Sequence, residues 1–223
     1  MSEKISPTRA IEVGWEAMKK KFWFFVGVLV LVFLIQVIPT AIAGIFKHVI
    51  TLYFMILLAS LILQIIVRIG LVKISLDIFD KGDGHINDLF SQAHLLGKFI
   101  LGMILYALIV IGGFILLIVP GIIWSIKYQF FAYLIIDKNM GPLEAIKKSG
   151  EITMGNKGNL FVLGILISLI NLVGVLCAFV GLFATIPLSL LAMVYVYRKL
   201  MGEIPTAAET PGFAISAAPE QAA

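Results

Sequence analysis

The chain has 223 residues, 61% of them hydrophobic and only 13% charged, with a formal net charge of +4. A soluble domain carries roughly 25% charged residues, so this composition excludes a water-soluble globule, and the mean hydropathy of +1.06 agrees. The basic residues flank apolar runs instead of forming a soluble basic face, which argues against nucleic acid as a partner.

At the N-terminus, Ser6-Pro7 reads as a helix cap followed by proline in the first turn. Ile11, Trp15 and Met18 then recur at helical spacing, which predicts a surface helix over 7–20 with those three side chains dipped toward acyl chains. Lys19-Lys20-Lys21 closes it, where a helix C-terminus favours cations. A first membrane span is expected over about 22–46. Ala41-Ile42-Ala43 before Gly44 imitates a signal-peptide cleavage site, but the apolar core ahead of it exceeds the usual length of about 7 to 15 residues. A second span follows over about 49–76, with Arg68 and Lys73 near its end able to snorkel toward headgroups.

The polar segment 77–98 starts with a turn at Asp80-Lys81-Gly82-Asp83-Gly84, and Ile86, Leu89, Phe90 and Ala93 predict a second surface helix. Spans three and four, about 99–118 and 121–136, contain a single charged residue, Lys127, and are joined by a bend at Val119-Pro120-Gly121. A third amphipathic segment occupies 137–157. Spans five and six, about 160–179 and 185–197, form the last hairpin. Gly164 with Ser168, and Gly174 with Ala178, give the small-residue spacing of close helix contacts. Residues 202–223, dominated by Ala, Pro, Glu and Thr, read as a disordered tail.

The fold class expected is therefore all-α: an integral membrane six-helix bundle. Pro7, Ala10, Ile11, Gly14 and Glu16 align at one constant offset with Pro142, Ala145, Ile146, Ser149 and Glu151. That match predicts three units, each a surface helix followed by a hairpin of spans. With six spans, 15 of the 17 Lys and Arg lie on one side, leaving Lys47 opposite and Lys127 within the membrane. The asymmetry predicts a multi-pass protein of the plasma (inner) membrane with both termini cytoplasmic.

Lys127 is the sharpest candidate site, because an ionisable residue within a span is by default functional. With a helix starting near Gly121 it lies about 9 Å from the turn, placed to meet an anionic phosphate or carboxylate, or simply to snorkel. Tyr128 and Trp124 beside it fit a lipid contact or an interfacial aromatic belt. Arg68 and Lys73 extend the basic rim. Gln36, Gln64, Gln129 and Asn171 are amides of the kind that link helices. Cys177 is the lone cysteine, and His48, His85 and His94 lack metal spacing, so no metal, cofactor or catalytic residue is expected.

Asn87-Asp88-Leu89-Phe90, Val119-Pro120-Gly121-Ile122, Lys127-Tyr128 and Gly141-Pro142-Leu143-Glu144-Ala145-Ile146-Lys147-Lys148-Ser149 occur in this order. In them the chain resembles a family of uncharacterised prokaryotic membrane proteins, similar to the membrane domain that precedes the catalytic domain in some glycerophosphodiester phosphodiesterases. The family commonly has an aromatic residue where this chain has Gly150. The resemblance implies six-helix topology and a lipid-linked context. It does not imply phosphodiesterase activity, which needs a separate soluble barrel.

The function expected is non-enzymatic: binding of anionic membrane lipid, or of a partner protein or second copy, in a scaffold or regulatory role. The alternative is a transporter or efflux component for an amphipathic or anionic molecule, with Lys127 on its path.

Overall fold

A computed structural model describes residues 5–46, 48–177 and 179–204. Lys47, Ala178 and nearly all of the expected tail lie outside the described residues. Within them the chain is helical, without strands: α1 (Pro7–Lys20), α2 (Phe22–Ile45), α3 (Ile50–Lys81), α4 (Asp88–Ser91), α5 (Leu96–Leu116), α6 (Ile118–Tyr128), α7 (Phe131–Lys138), α8 (Pro142–Ile152), α9 (Lys157–Leu176) and α10 (Leu182–Leu200). Six helical segments are long and apolar enough to cross a membrane, with α6 and α7 together forming the fourth.

They make three hairpins, α2 with α3, α5 with α6, and α9 with α10. The outgoing arms α2, α5 and α9 start at one end of the bundle, and the returning arms end there as α3, α7 and α10. This basic end holds α1, α4 and α8. The fully buried side chains concentrate in it: Ile69 to Phe79 of α3, Phe130 to Ile136, and Leu191 to Tyr197 of α10. The opposite ends of the hairpins present Phe54, Leu58, Ile115, Leu117, Val173 and Phe179 outward, as lipid-facing helices do.

Each short helix packs on a returning arm: α4 on α3, α8 on α7, and α1 on α10. Glycine makes these contacts close. A Cβ at Gly70 of α3 would collide with the Leu89 backbone of α4, and one at Gly14 of α1 would come within 2.7 Å of the Leu188 carbonyl of α10. The inward face of α1 is therefore Ala10, Gly14, Ala17 and Met18. Of the predicted Ile11, Trp15 and Met18 face, Met18 is in the core and Trp15 is 45% exposed. The shift follows from packing, because small residues let two backbones approach where bulky ones hold them apart.

Three further elements differ from the sequence expectation. The bend between spans three and four is at Leu117, which is extended, and Pro120 sits in the first turn of α6, where a missing N–H leaves no helical bond unmade. Gly113 and Gly121 close that hairpin, since a Cβ on Gly113 would lie 2.9 Å from the Gly121 Cα. The second surface helix is only α4 and a 3-10 turn over Ala93–Leu95. Finally, α3 runs to Lys81 and α10 to Leu200, which puts Asp77, Asp80 and Arg198 on helices.

These contacts predict opposite outcomes for two Gly-to-Ala changes. Gly70→Ala should lower stability by about 1–3 kcal/mol through overpacking. Gly97→Ala, where an added Cβ meets nothing within 4 Å, should be neutral or stabilising by up to about 1 kcal/mol. Thermal unfolding of the detergent-solubilised protein measures both; equal Tm values would refute the close α3–α4 contact.

Candidate functional site

Lys127 lies at a break in the fourth span. α6 ends at Tyr128, Phe130 is non-helical, and α7 starts at Phe131. The backbone groups released by the break are taken up by α8. Ser149 Oγ and Thr153 Oγ1 donate to the Lys127 carbonyl at 3.1 and 3.0 Å, and the Phe130 N–H donates to Ser149 Oγ at 3.1 Å. A Cβ on Gly150 would sit 3.0 Å from Lys127 Cε and 3.1 Å from the Tyr128 ring. Gly150 thus makes room for these two side chains. Lys127-Tyr128 and the Ala145-to-Ser149 segment are brought together as a backbone staple.

The Lys127 ammonium lies over the Tyr128 ring, 4.9 Å from its centroid, a contact contributing about 0.5–1 kcal/mol at an exposed site. Because α6 starts at Ile118, Lys127 is roughly 15 Å along it from the Leu117 hinge. Trp124 packs one turn nearer the hinge, where its ring would lie 2.9 Å from a Cβ on Gly113.

Arg68 and Lys73, both on α3, meet different surroundings. Lys73 is neutralised by Asp77 at 2.9 Å, and Lys81 holds the other Asp77 oxygen at 2.8 Å. Arg68 is exposed and has no hydrogen-bond or ion-pair partner among the described residues. It opens into a groove of about 560 Å³ between α2, α3, α5 and α10, lined also by Gln36, Gln64, Leu29, Val32 and Met103. The side chains of Gln36 and Gln64 likewise find no partner among the described residues. Lys127 does not line this groove, so the five expected residues are divided: Lys127 and Tyr128 against α8, Trp124 against α5, Arg68 in the groove and Lys73 in the Asp77 pairs.

A second groove, of about 450 Å³ between α6 and α9, includes Ser125, Gln129, Gly164 and Ser168. Its serines donate to carbonyls of their own helices, at Ile122 and Gly164. Gly164 faces open space, not a neighbouring helix.

One cluster went unrecognised in the sequence. Arg198, near the end of α10 and 7% exposed, uses all five N–H donors on three carboxylates. Asp80 of α3 accepts from Nε and Nη2, Asp137 of α7 from both terminal nitrogens, and Glu203 from Nη1. Tyr197 donates to Asp137 at 2.8 Å, and Lys138 pairs with Glu203 at 2.7 Å. Glu203, expected at the start of a tail, thus belongs to the folded end. Nearby, the Lys21 ammonium at 3.2 Å and the Gly84 N–H hold the Asp83 carboxyl below the usual carboxylate range. Local spacing carried no sign of the Arg198 cluster; the only available signal was a charged residue followed by lysine at the end of each returning arm.

Two uncharacterised proteins, from Mycobacterium bovis and Mycobacterium tuberculosis, are 32% and 31% identical to this chain over 145 residues. The match covers 65% of this chain and 44% of each relative, so the chain spans less than half the length of the curated relatives it matches. No family model matches the chain, and no solved structure matches it significantly. Nothing in these comparisons links it to the membrane domain of glycerophosphodiester phosphodiesterases.

Breaking the cluster should be costly, because removing one partner leaves buried charge uncompensated. Arg198→Leu is expected to cost about 3–5 kcal/mol, and adding Asp137→Asn should return part of that loss. Thermal unfolding in detergent checks both, and a single variant as stable as the unaltered protein would refute the role assigned to Arg198.

Proposed function

We propose that the chain is a non-enzymatic multi-pass protein of the plasma (inner) membrane that binds anionic lipid at its basic end, in a scaffold or regulatory role. The observation that carries this reading is the pairing of the deep cations. Lys73 and Arg198 are matched by carboxylates and Lys127 lies over the Tyr128 ring, whereas no ion pair reaches Arg68 among the described residues. An Arg at the centre of a span costs about 2.5–3.5 kcal/mol to insert, and a smaller part of that cost falls on Arg68 toward the basic end of α3. An anionic headgroup offsets that cost, and basic residues at an anionic leaflet contribute about 1 kcal/mol each.

Two finer features belong to the same reading. One is a three-unit architecture, in which every short helix braces a returning arm and the arms end in Asp80-Lys81, Asp137-Lys138 and Arg198-Lys199. The closed order of those contacts supports it, since α1 packs on the last arm as α4 and α8 do on the first and second. The other is orientation: the concentration of cations at the basic end favours a cytoplasmic location for it and for both termini. Asp80, Asp137 and Glu203 are all engaged by Arg198, which fits a structural use for them.

Transport of an anionic amphiphile is a second reading, favoured by the position of Gln36 and Gln64 midway along their helices. Against a route along the bundle axis stands the basic end, filled by Phe79, Phe130, Leu134 and Tyr197.

Native mass spectrometry of the purified protein should show phosphatidylglycerol retained over phosphatidylcholine; equal retention would overturn the lipid reading. In proteoliposomes, a fluorescent phosphatidylglycerol analogue should cross no faster than in empty vesicles, and faster crossing would support transport instead. Cys177 provides the topology test, because it is exposed in the turn between α9 and α10 and is the chain's one cysteine. A membrane-impermeant maleimide should label it in right-side-out vesicles and spare it in sealed inside-out ones; the reverse pattern would invert the orientation.

A further inference from the structure

We infer that the groove between α2, α3, α5 and α10 seats one anionic phospholipid molecule, with Arg68 on its phosphate and Gln36 and Gln64 on its polar linkage. The inference rests on the lipid-binding reading above and assigns it to a site. It also moves the principal contact from Lys127, the strongest candidate in the sequence, to Arg68.

Three properties of the groove point there. First, its size suits part of a lipid: about 560 Å³, within the roughly 300–1,000 Å³ of small-molecule sites, has room for a headgroup, its linkage and the start of an acyl chain, with the rest left in the bilayer. Second, its polar groups converge and are unspent. Arg68 and Gln64, one turn apart on α3, both line the groove. Gln36 reaches the same groove from the antiparallel α2. None of the three side chains has a partner among the described residues. Together they offer a guanidinium fork, which fits two phosphate oxygens, and two amides that donate and accept. Third, the remaining wall is apolar, with Leu29, Val32, Leu61 and Met103 placed to hold an acyl chain.

Charge complementarity selects the occupant. A lipid supplies both the anion and the apolar tail from the surrounding bilayer, and Leu61 on the wall of the groove is exposed. The groove between α6 and α9 has a similar apolar wall but no charged residue, and its serines are already bonded. Lys127, for its part, lies on Tyr128 and packs against α8.

The test is a titration of the full-length protein in nanodiscs with phosphatidylglycerol, read by native mass spectrometry, with a photoactivatable phosphatidylglycerol mapping the site. Arg68→Gln should weaken retention about tenfold, the loss expected for a charge-assisted hydrogen bond. Arg68→Lys should fall between, because an ammonium keeps the charge and loses the fork. Lys127→Gln should stay near the unaltered protein, and the label should fall on peptides containing Gln36 and residues 61–71. Loss of retention in Lys127→Gln but not in Arg68→Gln, or a label confined to α6 and α9, would overturn the site while leaving lipid binding intact. Crosslinks between two copies through this groove would overturn it in favour of self-association. Should Arg68→Gln fail to fold, the label map on the unaltered protein decides alone. No preference for phosphatidylglycerol in the unaltered protein would sink the lipid-binding reading itself.

Discussion

The basic end of this protein depends on one buried cation. Arg198 is surrounded by side chains from α3, α7 and the segment after α10, and all five of its donors meet carboxylate oxygen. Taking a guanidinium and three carboxylates out of water costs several kcal/mol per ion, and only complete hydrogen bonding offsets it. Completeness is what makes the arrangement tolerable, and it also makes it specific. Asp80 and Asp137 reach one guanidinium only if their helices end at the same level and with the same rotation. The ion cluster is therefore better understood as a register device for three returning arms than as a source of net stability.

Around that device the molecule divides into two layers with different physics. At the basic end, aromatic side chains stack between arms, with Tyr133 and Tyr197 centroids 5.4 Å apart and Phe130 against Tyr197 at 6.2 Å. At the hairpin turns, the second and third pairs of helices are closed by glycine contacts, Gly113 on Gly121 and Gly174 on Gly181. Apolar side chains there point outward, and between helices and lipid no hydrophobic driving force operates. Grooves between hairpins consequently persist where the arms diverge, while the basic end stays filled.

The sequence carried the large features because they depend on length and polarity alone. Six apolar runs and a near-absence of charge within them required only the thickness of a bilayer and the rise of a helix. Surface helices were harder. Ile11, Trp15 and Met18 read as a face turned to acyl chains, yet Met18 lies in the core and Ile11 packs partly against it while Trp15 stays exposed, and the close approach to α10 selected Ala10, Gly14 and Ala17 for the contact. The bend at Leu117 was misplaced because proline and glycine punctuate turns in general, whereas here both belong to the first turn of α6. The Arg198 cluster was invisible for a different reason: its members are 118 and 61 residues apart, and no local pattern links them.

Arg68 and Arg198 show why an unpaired charge carries more functional information than a paired one. Both are arginines on spans of the same fold, and each is expensive to place there. For Arg198 the chain itself supplies every acceptor, so nothing further is required of the surroundings. For Arg68 it supplies none among the described residues and sets two amides with unspent hydrogen-bonding groups beside it. The missing acceptors must then come from water, headgroups or a bound anion. In a groove walled by leucine, valine and methionine, an anion that brings its own apolar tail satisfies the charge and the wall together, which neither water nor a free phosphate can do.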